Sequence, residues 1–178
     1  MQSDISLKNG EKVYLRPPQL KDLNQVLEFI NKLADEDAMI ASANKCTLEE
    51  EEKYLKDVLQ KIESGQMVSL YVFDEKDNFL GSASVEKRKG RSNHIGLFGI
   101  ALAKKARGQG IGKLLMQQII TLAKKELNLD QIVLTCFAKN DVAQNLYKAL
   151  GFQQYGYLPN AYLYKGEYVD QVNFYKKI

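Results

Sequence analysis

The stretch Arg107-Gly108-Gln109-Gly110-Ile111-Gly112-Lys113 sets three glycines between two cations. That combination suits an anion. Glycines let backbone N–H groups approach a phosphate closely. A helix N-terminus adds unpaired donors and dipole charge, and Arg grips phosphate through two parallel hydrogen bonds. Spacing excludes two nucleotide motifs. A P-loop needs four residues between its glycines and then Gly-Lys-Ser/Thr; here three residues separate Gly108 from Gly112, and Leu114 follows Lys113. A dinucleotide fingerprint needs G-x-G-x-x-G, and Lys113 stands where its third glycine belongs. A pyrophosphate cradle is left, the plain alternative being a tight strand-to-helix turn that binds nothing.

Hydrophobic periodicity gives the elements that must position this loop. Val13-Tyr14-Leu15-Arg16 reads as a strand stopped by Pro17-Pro18. Leu20, Leu23, Val26, Leu27, Ile30 and Leu33 recur at helical spacing, with Asp35-Glu36-Asp37 in the exit loop. Thr47-Leu48-Glu49-Glu50 is a capping box opening a helix that runs to about Ser64-Gly65. Strands follow at Val68–Phe73, Leu80–Lys87 and Ile95–Leu102, the last apolar on both faces as a central strand would be. The glycine loop then opens a helix with Ile111, Leu114, Leu115, Ile119, Leu122 and Ala123 on one face. Gln131–Phe137 is another buried strand, and Asp141–Leu150 a short helix ended by Gly151. Two strands close the chain, near Phe152–Tyr157 and Tyr168–Tyr175. Three successive strands imply antiparallel meanders and the later strand-helix-strand unit implies parallel pairing, so an α/β layered fold with a mixed sheet is expected.

Two of these segments carry a resemblance. Arg107-Gly108-Gln109-Gly110-Ile111-Gly112 resembles the R/Q-x-x-G-x-G/A motif of the GNAT N-acetyltransferases. Asn140-Asp141-Val142-Ala143-Gln144-Asn145-Leu146-Tyr147-Lys148-Ala149-Leu150-Gly151-Phe152 is similar to that family's N-x-x-A-x-x-L-Y-x-x-x-G-F segment. The opening Leu15-Arg16-Pro17-Pro18 and the closing Gly166-Glu167-Tyr168-Val169-Asp170 also fit. The resemblance covers nearly the whole chain as one domain, residues 1–178. It implies the acyl-CoA N-acyltransferase fold: a mixed, mostly antiparallel sheet of about seven strands flanked by helices, splayed between strands 4 and 5, with acetyl-CoA as co-substrate in the gap and no metal.

The resemblance also implies roles. Backbone amides of Arg107, Gly108, Gln109, Gly110, Ile111 and Gly112, with Lys113 beside them, would bind pyrophosphate. Ile100, Ala101 and Leu102 would run along the pantetheine arm. Asn140 and Ala143 would lie near that arm, Asn140 also serving as a helix N-cap. Tyr147 matches a tyrosine placed beside the CoA sulfur, where a phenol of ordinary pKa ~10 can protonate the leaving thiolate; its plain reading is packing on the helix face with Ala143 and Leu150. Many family members carry an acidic base on the fourth strand, whereas His94-Ile95-Gly96-Leu97-Phe98-Gly99-Ile100 has no carboxylate. His94, with an ordinary pKa of ~6.5, and Glu86 on the preceding strand are the candidates left, through water, with proton loss to solvent as the alternative. Cys136 sits in an apolar strand with no electropositive partner and reads as core; Cys46 reads as inert.

The rest of the composition narrows partners. Two cysteines and one histidine exclude a disulfide framework and argue against a metal site. No run reaches the ~18 apolar residues of a membrane span, and Met1–Gly10 has no apolar leader core. A cytoplasmic location is expected. The net charge of +3, with 25 basic and 22 acidic residues intermixed, gives no footprint for nucleic acid. Tyr155, Tyr157, Tyr162, Tyr164, Tyr168 and Tyr175 in the last segment suit aromatic and polar contact. Asp35–Asp37 and Glu49–Glu52 could attract a cationic amine, although glutamates in a first helical turn have a simpler reading in the helix dipole. The C-terminal half looks most like the branch of amino-acid and phosphinothricin N-acetyltransferases, which implies a small-molecule amine as acceptor. A protein N-terminus of the ribosomal-protein type, a polyamine, and a non-catalytic acyl-CoA sensor stay open, as does a homodimer.

Overall fold

A computed structural model describes residues 3–7, 10–41 and 44–178, Ser3–Ser6 by backbone alone. The leader reading of Met1–Gly10 falls partly outside them. The strands are β1 (Ser3–Ser6), β2 (Lys12–Arg16), β3 (Met67–Asp74), β4 (Phe79–Lys87), β5 (Ile95–Leu102), β6 (Gln131–Phe137), β7 (Gln153–Tyr164) and β8 (Glu167–Lys177). The helices are α1 (Leu23–Asp35), α2 (Leu48–Glu63), α3 (Ile111–Leu127) and α4 (Asp141–Ala149). One mixed sheet holds the strands in the order β1-β2-β3-β4-β5-β6-β8-β7. Every neighbouring pair is antiparallel except β5 and β6.

The eighth strand is β1, whose Ser-Asp-Ile-Ser sequence carries no strand pattern. The family's fourth and fifth strands are therefore β5 and β6 here. The last hairpin is longer than expected. Lys165 and Gly166 both have positive φ, 52° and 80°, as a two-residue hairpin turn with the right twist requires. Register shifts between Gln154 and Gly156 and between Leu158 and Tyr162 interrupt the ladder. With Pro159 in the same stretch, the pattern reads as if the strand stopped early.

Side chains alternate across the sheet and build a core on each face. Val68, Leu70, Val72, Ala83, Val85, Phe98, Ile132 and Leu134 meet α3, through Ile111, Leu115 and Ile119, and Tyr147 of α4. Tyr71, Phe73 and Phe79 meet Val26, Phe29, Leu33 and Leu55 of α1 and α2. The capping box forms: Thr47 N–H donates to Glu50 Oε2 at 2.7 Å, and Glu50 N–H to Thr47 Oγ1 at 3.3 Å. Arg16 anchors the start of α1, donating to both carboxylate oxygens of buried Asp22 at 2.6 and 2.7 Å. Pro17-Pro18 fold the chain back so that this fork can close.

One expectation about β5 is corrected. Its α3 face is covered, with Phe98 buried, but on the α1–α2 face Leu97 is 48% exposed and Gly99 is open. The apolar run is continuous because one face meets the core and the other borders a cleft.

Candidate functional site

Strands β5 and β6 pair through only Ile95↔Gln131, Gly96↔Ile132 and Leu97↔Val133. Beyond Leu97 and Val133 they part, which is the splay that the resemblance implied. Hydrogen bonds at both ends fix the phase of β5: Ala103 N–H donates to Leu80 C=O at 2.8 Å, and Arg88 N–H to Ile95 C=O at 2.9 Å. Odd-numbered residues thus turn their backbone groups to β4, and Phe98, Ile100 and Leu102 turn theirs to the gap. An extended amide chain laid there meets donors and acceptors as an added strand would. Of Ile100, Ala101 and Leu102, the first and third face the gap, while Ala101 is committed to β4.

The glycine loop closes one end of this gap. Gly108 and Gly110 have φ of 77° and 86°, a left-handed backbone that L side chains resist. Gly110 is the N-cap of α3, which has neither a side-chain cap nor an acidic residue in its first turn. Leu114 N–H is bonded to Gly110 C=O at 3.1 Å, so the N–H groups of Ile111, Gly112 and Lys113 precede the first helical bond and are free for an anion. Lys113 is exposed beside them. A Cβ on Gly112 would lie 3.4 Å from both Leu102 Cδ1 and Leu146 Cδ2; glycine there lets β5, α3 and α4 converge at the mouth of the gap.

The side chains of Arg107 and Gln109 turn back into the protein. Arg107 Nε donates to Leu102 C=O at 3.0 Å, and its Nη2 is paired with Glu36. Gln109 Nε2 donates to Lys105 C=O at 2.9 Å. The loop is therefore braced by its own side chains, leaving backbone amides and Lys113 for the ligand. Uncapped amides, positive dipole and a cation fit a pyrophosphate, and the open β5 edge fits an amide-bearing arm.

Across the mouth, Asn140 Oδ1 accepts from Ala143 N–H at 3.1 Å and caps α4. About two turns on, Tyr147 is buried, with Phe174 and Phe152 ring centroids at 5.8 and 6.1 Å. Its hydroxyl has no hydrogen-bond partner among the described residues. Glu51 Oε1 is the one side-chain oxygen among them both sealed from solvent and unpartnered, so the phenol tip keeps contact with solvent. Burial, then the neighbouring Cys136, pushes the phenol pKa well above its ordinary value. Cys136 is itself buried, its thiol pushed up to about 11 by desolvation; it is a core residue.

Glu86 and His94 are not brought together. Glu86 pairs with Leu97, and its carboxylate meets Lys61 Nζ at 3.0 Å on the α2 side. His94 is exposed in the turn before β5, at the closed end, where its carbonyl accepts from Asp130 N–H at 2.9 Å.

The acidic exit of α1 and the tyrosine-rich last hairpin meet. Tyr164 Oη in the last hairpin donates to Asp37 C=O at 2.8 Å, and Lys165 lies 3.8 Å from the Asp37 carboxylate. Glu36 beside it holds Arg107, so the exit of α1 links glycine loop to hairpin. The residue that sequence reasoning passed over is Glu51. In the run Glu49–Glu52 it looked like dipole compensation, yet it is 5% exposed and turned inward. Its place on the inward face, four residues before Leu55, was the available signal.

Comparison with known proteins agrees with this geometry. Residues 36–152 match the acetyltransferase (GNAT) family. The L-amino acid N-acetyltransferase AaaT of Escherichia coli (strain K12) is 33% identical over 84 residues, 47% of this chain and 52% of that relative; the match thus spans about half the length of the curated relative. A GNAT-family acetyltransferase from Streptococcus pneumoniae superposes with a TM-score of 0.82 at 25% identity, over 93% of this chain and 99% of that one. The yncA acetyltransferase structure from Salmonella typhimurium, which holds its cofactor acetyl-CoA, shares the fold with a TM-score of 0.81 at 16% identity, over 93% of both chains. A splayed sheet with an uncapped glycine-loop helix at its mouth, and a family match over most of the chain, together establish that this protein belongs to the GNAT acetyltransferase family.

Proposed function

We propose that the protein transfers the acetyl group of acetyl-CoA to the primary amine of a small amino-acid-like molecule. The observation that carries this reading is the gap itself: the backbone groups of Ile100 and the N–H of Leu102 along one side, the uncapped α3 terminus at its mouth and the Tyr147 hydroxyl beyond Asn140. The co-substrate supplies an activated thioester. The amides of Ile111 and Gly112, with Lys113, would hold its pyrophosphate. The β5 edge would align its arm, so that the amine meets the reacting carbon in a fixed geometry. Tyr147, kept protonated by burial, would pass its proton to the departing sulfur. The half-length match to an L-amino acid N-acetyltransferase favours an α-amine as acceptor.

The proton lost by the amine goes to solvent unless His94 or Glu86 accepts it through water. The pH–rate profiles of His94→Gln and Glu86→Gln decide this: an unchanged profile in both removes both. The function is tested by release of free CoA thiol from acetyl-CoA against amino acids, polyamines, aminoglycosides and short peptides. Turnover confined to amino acids supports the reading, and turnover with peptides alone moves it to protein N-termini. Binding of acetyl-CoA without thiol release across the panel makes the domain an acyl-CoA sensor.

A further inference from the structure

A second, smaller site lies on the opposite face of the sheet from α3. A cavity of about 70 Å3 is enclosed by α1, α2, β3 and β4, its polar lining formed by Glu51, Tyr54, Tyr71, Ser69, Ser82 and Ser84. Glu51 is 5% exposed; its Oε2 accepts from the Cys46 thiol at 3.5 Å, while Oε1 has no partner. Buried charges are normally paired, as buried Arg16 is with buried Asp22. Among the described residues, no lysine, arginine or histidine lines the cavity. Its rings, Phe29, Tyr54 and Tyr71, suit a cation by their negative faces. The larger groove of about 480 Å3 outside α1 mixes Glu28, Asp35 and Glu36 with Lys32, Lys104 and Lys105, and nothing in it selects one sign of charge.

The cavity also has a route to the gap. Ser82 and Ser84 of β4 stand opposite Ala101 and Gly99 of β5. A Cβ on Gly99 would have only Ser84 Oγ within 4 Å, at 3.9 Å, so these small residues leave an open trough toward the edge of β5. With strands ~4.8 Å apart, the cavity lies one to two strand spacings from the gap. That is too far for Glu51 to touch an amine attacking there, and a few methylenes would span it.

We propose that this cavity is a subsite for a second cationic nitrogen of the acceptor, held by Glu51, so that the favoured acceptors are dibasic amino acids or diamines. The proposal rests on the acetyl-transfer reading for where the rest of the acceptor points. L-lysine and L-norleucine test it, because they differ only in the side-chain ammonium. Calorimetric titration in the presence of CoA should show the wild type binding L-lysine about tenfold or more tighter than L-norleucine. Glu51→Gln should bring lysine down to norleucine, and Glu51→Asp, which keeps the charge, should retain part of the preference. Equal affinity in the wild type, no binding of either, or a preference that survives Glu51→Gln overturns the proposal; the cavity then holds water only. Thiol release is read in parallel. A lysine preference without thiol release would refute acetyl transfer and leave the subsite standing.

Discussion

The glycine loop and the Glu51 cavity are charged in opposite ways. The loop presents positive charge through backbone: Gly108 and Gly110 in left-handed conformation, an uncapped helix end, and side chains of Arg107 and Gln109 turned inward as braces. The cavity presents negative charge through one side chain buried among residues of four elements. The first device is local in sequence and tolerates many side chains around it. The second depends on the packing of α1 and α2 over β3 and β4, and a single substitution can remove it.

Five substitutions probe that contrast, beginning with the largest effect. Tyr147→Phe removes the proposed proton donor and leaves the ring among Phe152 and Phe174. We expect kcat to fall about a hundredfold or more, with little change in KM or Tm, since the hydroxyl holds no partner among the described residues; an unchanged kcat makes Tyr147 a packing residue. Gly110→Val places a branched side chain at φ 86°, with a strain of about 1–2 kcal/mol and a displaced set of amides. Acetyl-CoA affinity should drop about tenfold or more, while lysine-over-norleucine selectivity in the surviving complex is retained. Loss of both together would show the two regions coupled.

Arg107→Ala and Glu36→Gln break the same brace from its two ends. The pair is partly exposed and worth at most about 1 kcal/mol of stability. If Arg107 acts by positioning the loop, both variants weaken acetyl-CoA binding by the same few-fold. A much larger effect of Arg107→Ala means that its guanidinium leaves Glu36 for the phosphate. Glu51→Gln should give the smallest change, a gain in stability. Burial raises the Glu51 pKa above its unfolded value, so the native state holds that proton more firmly. Its favourable contribution is full below the unfolded carboxylate pKa and is lost as pH rises through the raised one. The groups facing it, Cys46, Tyr54 and Tyr71, are themselves pushed toward their neutral forms, and Arg16 is held by Asp22. At pH 8 the variant should melt a few degrees higher, at ~2–4 °C per kcal/mol for a chain of this size, and the difference should shrink as the solution is acidified. A lower Tm at pH 8 would mean that Glu51 is paired in the native state.

How much of this was legible follows from where each signal is stored. The glycine loop, the α4 segment and the capping box at Thr47 each lie within a dozen or so residues, and each states a backbone requirement: positive φ, an N-cap, a reciprocal hydrogen bond. Such requirements are written in residue type and spacing, so the sequence alone determined the order of the elements from β2 onward and the glycine loop, while the placement of Asn140 and Tyr147 was implied by the resemblance. The splay added meaning to β5, whose run Ile95–Leu102 looked buried on both faces and instead borders a cleft.

Tertiary structure alone decided four things. Ala101 faces β4 while Ile100 and Leu102 face the gap, because register sets which alternate residues spend their polar groups within the sheet. Glu86 is taken by Lys61, a partner 25 positions away. Arg107 meets Glu36 across 71 positions, a partner that no local spacing announces. Glu51, one of four consecutive glutamates, is singled out only when α2 settles against β3 and β4 and seals one carboxylate oxygen. Composition counts charges; the dielectric around each one is set by packing, and packing is what made one glutamate of the run different from its neighbours.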